Sequence, residues 1–107
     1  VSALRFEVRG FSCSDEEIKQ AIAEIYDKYG YLSDPHSAVG YLATKQMDVD
    51  GFWLSTAHAA KFGEVVEPSA GVAPELPASL AEAVIKERNF VNIDAQEEQL
   101  AAFLREM

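Results

Sequence analysis

The sequence predicts an α/β fold, because segments with the spacing of strands alternate with segments that have the spacing of helices. Leu4, Phe6 and Val8 alternate with charged residues, which is typical of a half-exposed strand. Residues 52–55 form a short apolar run after a turn signal at residues 50–51, which is typical of a buried strand. We therefore expect part of a three-layer fold of sheet and helices, with short strands and about five helices.

The first helix is predicted to begin near Asp15. Ser14 and Glu17 have the spacing of a capping box, in which each side chain bonds to the backbone N–H of the other residue. Lys28 lies in the expected last turn, and Gly30 is a residue type that commonly ends helices. The apolar residues of this segment recur at helical spacing: Ile18, Ala21, Ile22, Ile25, Tyr26 and Tyr29. We expect this side of the helix to be buried.

A second helix is predicted to start at Asp34 and Pro35 and to run to about Met47. Aspartate is a preferred N-cap, and proline suits the first helical position because its N–H would be unpaired there in any case. Small residues dominate the start of this helix, at residues 37–40. They predict a close approach to another backbone or to a ligand.

The next segments predict a third helix and then a loop. Residues 57–66 have helical spacing, whereas residues 67–77 are rich in proline, alanine, serine and glycine. The loop predicts a division of the chain. Residues 1–68 would be part of an α/β domain, and residues 69–107 would form a C-terminal loop, helix, short strand and helix.

The C-terminal elements are predicted from weaker signals. A fourth helix is expected to open at Pro77 or Ser79, and residues 90–93 are a candidate strand. Asp94 and Glu97 have the spacing of a second capping box before the last helix. That helix would present one apolar face, made of Leu100, Phe103, Leu104 and Met107.

Composition excludes several classes of partner. The chain has 107 residues and a net charge of −9, so binding to nucleic acid or to an anionic membrane surface is not expected. No apolar run reaches the length of about 20 residues needed to span a membrane. A single cysteine, Cys13, allows no internal disulfide, which fits a cytoplasmic protein. No metal-type spacing of His and Cys is present, so we predict no metal site.

The candidate site lies where the predicted inner strand meets the third helix. Ser55, Thr56 and His58 occupy this junction, and ligands of α/β proteins bind at such carboxyl ends of strands. Thr56 could equally be the N-cap of the helix, and His58 could simply bond to backbone. Lys61 could contact an anion or remain solvated. A hydrolytic Ser55 and His58 pair is not favoured, because no orienting acid and no nucleophile elbow accompany it.

A second candidate region precedes the junction in the chain. His36 and Ser37 lie at the start of the second helix. Ser37 could donate a hydrogen bond to a substrate or could serve only to cap the helix. His36 could orient a loop or relay a proton, or it could bond to backbone.

Residues 34–40 (DPHSAVG) and 54–62 (LSTAHAAKF) together resemble the C-terminal part of threonine synthase. This pyridoxal-phosphate-dependent family, which is similar to the tryptophan synthase β-subunit, typically has D-P-H-S/T-A-V followed by S/A-T-A-H-P-A-K-F. The chain departs at Ala59, where the family has proline. The resemblance extends upstream through residues 29–31 and 15–18, and it weakens after Pro68.

The resemblance implies an enzyme that converts O-phosphohomoserine and water to L-threonine and phosphate. It implies that Thr56, or less favourably Ser55, donates a hydrogen bond to the ring nitrogen of pyridoxal phosphate. It places His36, Ser37, His58 and Lys61 near the substrate. In the family, the lysine that holds the cofactor covalently and the glycine-rich phosphate loop lie upstream of these motifs. We therefore expect a C-terminal portion that is inactive without the missing N-terminal part of the enzyme.

Composition alone would also allow a function of a different class, without catalysis. The chain has an apolar fraction of 49% and good capping signals, which would also suit a stand-alone acidic protein-interaction module without catalytic activity.

Overall fold

The computed structural model describes residues 8–48 and 50–107, and this part of the chain contains five α-helices and one 3₁₀ turn. The number of helices agrees with the sequence prediction. The predicted sheet is not confirmed, because residues 8–48 and 50–107 contain no strand. Leu4 and Phe6 of the predicted first strand lie outside the described residues. The elements are α1 (Asp15–Tyr29), α2 (Pro35–Met47), the 3₁₀ turn (Ala59–Phe62), α3 (Gly63–Ala70), α4 (Ala78–Val84) and α5 (Glu97–Glu106).

Helix α1 has the predicted ends. The Ser14 hydroxyl oxygen accepts a hydrogen bond from the Glu17 backbone N–H at 3.3 Å. In return, the Glu17 carboxylate accepts one from the Ser14 backbone N–H at 2.7 Å. These two bonds form the capping box. The Glu17 carboxylate accepts hydrogen bonds from both the Ser14 backbone N–H and the Ser14 hydroxyl, and these hold the pKa of Glu17 below its ordinary value. Gly30 ends the helix at φ 65°, in the left-handed region that glycine adopts without strain.

Helix α2 also starts as predicted, with Asp34 as N-cap and Pro35 in the first turn. It ends at Asp48, a non-glycine residue with φ 48°. Aspartate tolerates this left-handed conformation better than most residues. The two capping signals in the sequence were therefore sufficient to locate this helix.

The third helix differs from its prediction in form and in length. A 3₁₀ turn covers Ala59–Phe62, and α3 then continues through Pro68 to Ala70. The predicted loop at residues 67–77 therefore begins later, at Gly71, which has φ 71°. Pro68 removes one helical hydrogen bond, but its fixed φ is compatible with a helix. Immediately after it, the Ser69 hydroxyl donates to the Val65 carbonyl at 2.6 Å.

The core of the first compact unit, residues 1–77, lies where α1 contacts both α2 and α3. Helix α1 supplies the largest share, as its helical spacing predicted. Partly buried side chains of Ile18, Leu32 and Phe62 pack against this core. Among the described residues, the buried apolar ones are Ala21, Ile22, Ile25, Ala38, Tyr41, Ala59 and Val66.

A charged cluster on Glu24 ties α1 to α2. Its carboxylate accepts hydrogen bonds from Lys28 on the same helix and from Tyr41 and Lys45 on α2. The Tyr41 hydroxyl and the Lys45 Nζ each lie 2.9 Å from a Glu24 oxygen. The hydrogen bonds from Lys28, Lys45 and Tyr41 lower the pKa of Glu24 from 4.5 to about 2.

We predict that Glu24→Gln lowers the free energy of unfolding by about 1 kcal/mol at neutral pH, because it removes the charge that three donors share. The pKa of Glu24 is lower in the folded chain, so its contribution is complete above pH 4.5 and is lost as the pH falls towards 2. Urea unfolding of both proteins across this range measures the difference. Glu16→Gln is the control, because Glu16 is an exposed α1 acid with a single lysine partner at 3.7 Å. A difference that stays constant down to pH 2 would contradict the prediction.

Residues 52–55 do not form the predicted buried strand. The side chains of Phe52 and Leu54 are 86% and 72% exposed, and the segment has no regular secondary structure. The prediction of burial is wrong for this chain, because a strand requires a neighbouring strand to pair with. Trp53 instead packs on α2, edge-on to Tyr41 with ring centroids 5.4 Å apart. It lies so close to Gly40 that a Cβ there would be 2.9 Å from the Trp53 Cβ.

We predict that Gly40→Ala displaces Trp53 from α2, because the added methyl group overlaps the base of the tryptophan side chain. The chain has one tryptophan, so intrinsic fluorescence measures this directly, and the emission should move to longer wavelength. Gly63→Ala is the matched control: Gly63 is also helical, and its added Cβ would meet nothing within 4 Å. Equal spectra for the two variants would disprove the contact.

The second compact unit, Ala78–Met107, corrects two C-terminal predictions. Residues 90–93 are exposed and form no strand. Asp94 and Glu97 do not make a capping box. Gln96 is the N-cap of α5, and Asp94 exchanges two hydrogen bonds with the Gln99 side chain instead. The amide of Gln99 both donates and accepts, so it satisfies Asp94 more fully than a carboxylate could.

The compact units divide after Pro77, and the functional division at residues 68 and 69 stays a prediction. Across the described residues, none of the helices has both the length and the apolar character that crossing a bilayer would require.

Candidate functional site

The structure brings the two sequence motifs into direct contact. The Thr56 backbone N–H donates a hydrogen bond to the Ser37 hydroxyl oxygen at 3.2 Å, between residues 19 positions apart. Ser37 lies in the first turn of α2 and is 1% exposed. The segment that carries Ser55 and Thr56 is thus attached to the start of a core helix.

Asp34 holds Ser37 in the position from which it contacts Thr56. Its carboxylate accepts the backbone N–H groups of His36 at 3.0 Å and Ser37 at 3.2 Å, and it also accepts the Ser37 hydroxyl. Burial by itself raises the pKa of Asp34. The hydrogen bonds from Ser37 and His36 outweigh burial and leave the pKa below its ordinary value. Asp34 is therefore a buried carboxylate that remains ionised, with its charge met by three donors.

Ser55 and His58 line one cavity of about 440 Å³, together with Tyr26, Tyr31 and Glu75. This volume lies within the usual range of small-molecule sites. The Tyr31 and Ser55 hydroxyl oxygens lie 3.0 Å apart and share a hydrogen bond. No lysine or arginine is among the described residues that line the cavity, so these residues offer nothing to neutralise a phosphate.

Thr56 is not the N-cap of the following turn, so that alternative is wrong. The N-cap is His58, whose Nδ1 accepts the Ala60 backbone N–H at 3.2 Å. The alternative of a backbone-bonded His58 is confirmed, and an accepting Nδ1 places the proton of the neutral ring on Nε2. Thr56 itself is exposed, and its hydroxyl makes no hydrogen bond within the part of the chain that the structure describes.

Four of the six predicted site residues do not line this cavity: His36, Ser37, Thr56 and Lys61. The His36 ring packs edge-on against Phe62 at 5.1 Å, and its Nδ1 is 3.4 Å from an Asp34 oxygen. The Lys61 residue is exposed, and its ammonium makes no ion pair with any described residue. The six predicted site residues thus fall into groups: Ser37 with Thr56, Ser55 with His58 in the cavity, and His36 and Lys61 apart.

A hydrolytic pair is not formed. Ser55 bonds to Tyr31 and His58 bonds to Ala60, and no hydrogen bond joins Ser55 to His58 within residues 8–48 and 50–107. The same residues contain no group of three or more histidine, cysteine or acidic side chains that could hold a metal ion.

Sequence reasoning overlooked Tyr31 and assigned Asp34 only a capping role. Tyr31 follows the glycine that ends α1, and this reversal of the chain directs it to Ser55. A tyrosine just after a helix-ending glycine was the available signal. The hydrogen bond that Asp34 accepts from the Ser37 hydroxyl has the ordinary i to i+3 spacing of a capping interaction.

The described helices match a segment of a solved α/β enzyme. The crystal structure of pyridoxal-phosphate-bound threonine synthase from Brucella melitensis aligns with a TM-score of 0.74 and 31% sequence identity. The alignment covers 98% of this chain and 23% of that one. The chain therefore has the fold of a segment of an α/β enzyme.

Sequence comparisons identify the family. Residues 37–104 match the family described as threonine synthase, C-terminal. Threonine synthase from Pseudomonas aeruginosa is 38% identical over 96 residues, which is 85% of this chain and 20% of the relative. The Escherichia coli threonine synthase is 41% identical over 76 residues, covering 68% of this chain and 18% of the relative. The chain belongs to the threonine synthase family, in its C-terminal region.

The chain spans about a fifth of the length of these curated relatives. The comparisons confirm the resemblance seen in the two motifs. They give no support to the alternative of a stand-alone acidic interaction module.

We predict that His58→Ala destabilises the 3₁₀ turn, because the Ala60 N–H loses its acceptor. The expected cost is about 0.5–1 kcal/mol, as for other lost helix caps. His58→Asn should retain most of this stability, since its side-chain oxygen can accept the same N–H. Chemical unfolding of the three proteins measures the effect, and equal losses for alanine and asparagine would contradict the capping role.

Proposed function

We propose that this chain forms the C-terminal part of a threonine synthase that converts O-phosphohomoserine and water to L-threonine and phosphate. Family membership over residues 37–104 supports this, together with the 31% identical, pyridoxal-phosphate-bound neighbour. The single observation that carries the residue-level proposal is the Thr56 hydroxyl, which is exposed on a backbone held by Ser37.

The Thr56 side chain suits the nitrogen edge of a pyridine ring. A hydroxyl donates one hydrogen bond and carries no charge, so it can orient the ring nitrogen without holding it protonated. An aspartate in the same place would hold that nitrogen protonated. Ser55 offers the same chemistry, but its hydroxyl already bonds to Tyr31. We therefore assign the ring nitrogen to Thr56 and the side of the cavity to Ser55.

The phosphate group of the cofactor requires positively charged partners, which the described cavity residues do not offer. No lysine or arginine is among the described cavity residues, and Glu75 adds a negative charge there. We propose that the N-terminal part of the enzyme holds the phosphate group and supplies the covalent lysine. The 107-residue chain would then be inactive by itself.

When bound, pyridoxal phosphate supplies the electron sink for the bond changes of the substrate. We propose that His58 lies beside the substrate with its Nε2–H directed away from the turn that it caps. His36 and Lys61 would contact the anionic substrate from the other motif and from the 3₁₀ turn. Ser37 would contribute through the segment that it holds, because its hydroxyl is buried.

We also propose that residues 1–68 belong to the cofactor-binding domain and residues 69–107 to a C-terminal extension of it. A cytoplasmic location would fit a chain with a single cysteine, Cys13.

We predict that Thr56→Val in the full-length enzyme shifts the absorption of bound pyridoxal phosphate and lowers kcat by at least about tenfold, because the ring nitrogen loses its donor. Thr56→Ser should retain the wild-type spectrum, since it retains the hydroxyl. Thr56→Asp should change the spectrum most, because a carboxylate favours the protonated ring. Visible absorption spectra and steady-state rates are the measurements.

Thr44→Val is the matched control for these variants. The Thr44 hydroxyl only donates to the Tyr41 carbonyl within α2, at 2.8 Å. The isolated 107-residue chain should show no spectrum of bound cofactor. If Thr56→Val and Thr56→Asp both leave the spectrum and the rate unchanged, Thr56 does not contact the cofactor.

A further inference from the structure

We infer that Ser37, held by Asp34, is a positioning residue that fixes the direction of the Thr56 hydroxyl through the Thr56 backbone. This inference rests on the proposed function, since it concerns the same cofactor contact. It extends that proposal from the donor itself to a pair of buried residues that touch neither cofactor nor substrate.

The directions of the hydrogen bonds around the Ser37 hydroxyl are fixed by its two partners, Asp34 and Thr56. A serine hydroxyl has one proton and two lone pairs. The Ser37 proton goes to the Asp34 carboxylate, which in its ionised form has no proton to donate and can only accept. The Ser37 oxygen therefore presents its lone pairs to the Thr56 N–H, which is the direction observed. A lowered pKa of Asp34 is consistent with the ionised form at neutral pH.

Burial makes the hydrogen bond between Ser37 and Asp34 a strong restraint on the Ser37 side chain. Asp34 and Ser37 are each 1% exposed, so water cannot readily take the place of either partner. Both belong to the first turn and cap of α2, which packs on α1 in the core. Asp34 and Ser37 are thus held firmly by the core, whereas Thr56, which bonds to Ser37, is exposed.

The segment that carries Thr56 has few other restraints. Residues 50–58 contain no helix or strand in the structure. Within the described residues, Trp53 packs on Gly40 and Tyr41, Ser55 bonds to Tyr31, and Thr56 bonds to Ser37. His58 accepts the backbone N–H groups of Ala60 and Lys61 in the turn that follows. Among these contacts, the bond to Ser37 is the one that holds the backbone of Thr56 itself. Loss of the Ser37 hydroxyl should therefore free the residue that bears the proposed donor.

The test uses the full-length enzyme with Ser37→Ala and with Ser37→Thr, which restores a hydroxyl. Amide hydrogen exchange is measured without cofactor, and the visible spectrum is measured with pyridoxal phosphate. In Ser37→Ala, the Thr56 amide should exchange about fivefold faster, as expected for one lost hydrogen bond. The spectrum should move in the same direction as in Thr56→Val. Ser37→Thr should restore both signals towards wild type.

Ser69→Ala is the control, because it deletes a serine hydroxyl on another helix, where Ser69 is half-buried and donates to the Val65 carbonyl within α3. It should alter neither the Thr56 exchange rate nor the spectrum. Exchange within α1 reports general loosening of the core. An increase there as large as the increase at Thr56 would overturn the inference, since it would show a structural role only.

Two further results would separate this inference from the proposed function. If Thr56→Val shifts the spectrum but Ser37→Ala does not, Ser37 does not position the donor and the function still holds. If Thr56→Val leaves the spectrum unchanged, the proposed cofactor contact fails and the inference is overturned with it. Unchanged exchange at Thr56 in Ser37→Ala would overturn the inference whatever the spectra show.

Discussion

The ionised carboxylate of Asp34 is the constraint on which the rest of the first unit depends. A charge that is 1% exposed is unfavourable unless hydrogen-bond donors surround it, and two backbone N–H groups and one hydroxyl do so here. Those donors are the first turn of α2. The same interaction therefore starts the helix, orients Ser37 and holds the segment before the 3₁₀ turn.

Helix α2 is restrained by acids at both of its ends. Asp34 holds its N-terminus, and Glu24 of α1 holds its last turn through Lys45 and its middle through Tyr41. Glycine at position 40 lets Trp53 lie against the helix between these two points. A helix that is fixed in this way provides a firm base for an exposed segment without secondary structure. This explains how Thr56 can be exposed while its backbone N–H is held by Ser37.

The sequence predicted those elements whose signals are local. Ser14 with Glu17, and Asp34 with Pro35, located α1 and α2 because a helix cap forms within a few residues. The strands predicted at residues 52–55 and 90–93 are not formed, because strand pairing depends on residues that are far away in the sequence. Asp94 failed because Gln99 competed for it. Both sequence motifs of the site were found. The hydrogen bond between Ser37 and Thr56 and the one between Tyr31 and Ser55 were not, because they depend on how α1 and α2 pack.

The exposed run at residues 52–54 has a consequence for handling the chain by itself. Phe52 and Leu54 stand beside backbone groups that no strand in the described residues covers. Unpaired backbone in an exposed apolar segment is available for intermolecular β-pairing, and apolar side chains next to it favour aggregation. The exposed apolar run therefore lowers the colloidal stability of the isolated chain. Solubility tags or a charged substitution at Phe52 would counter self-association without touching the core.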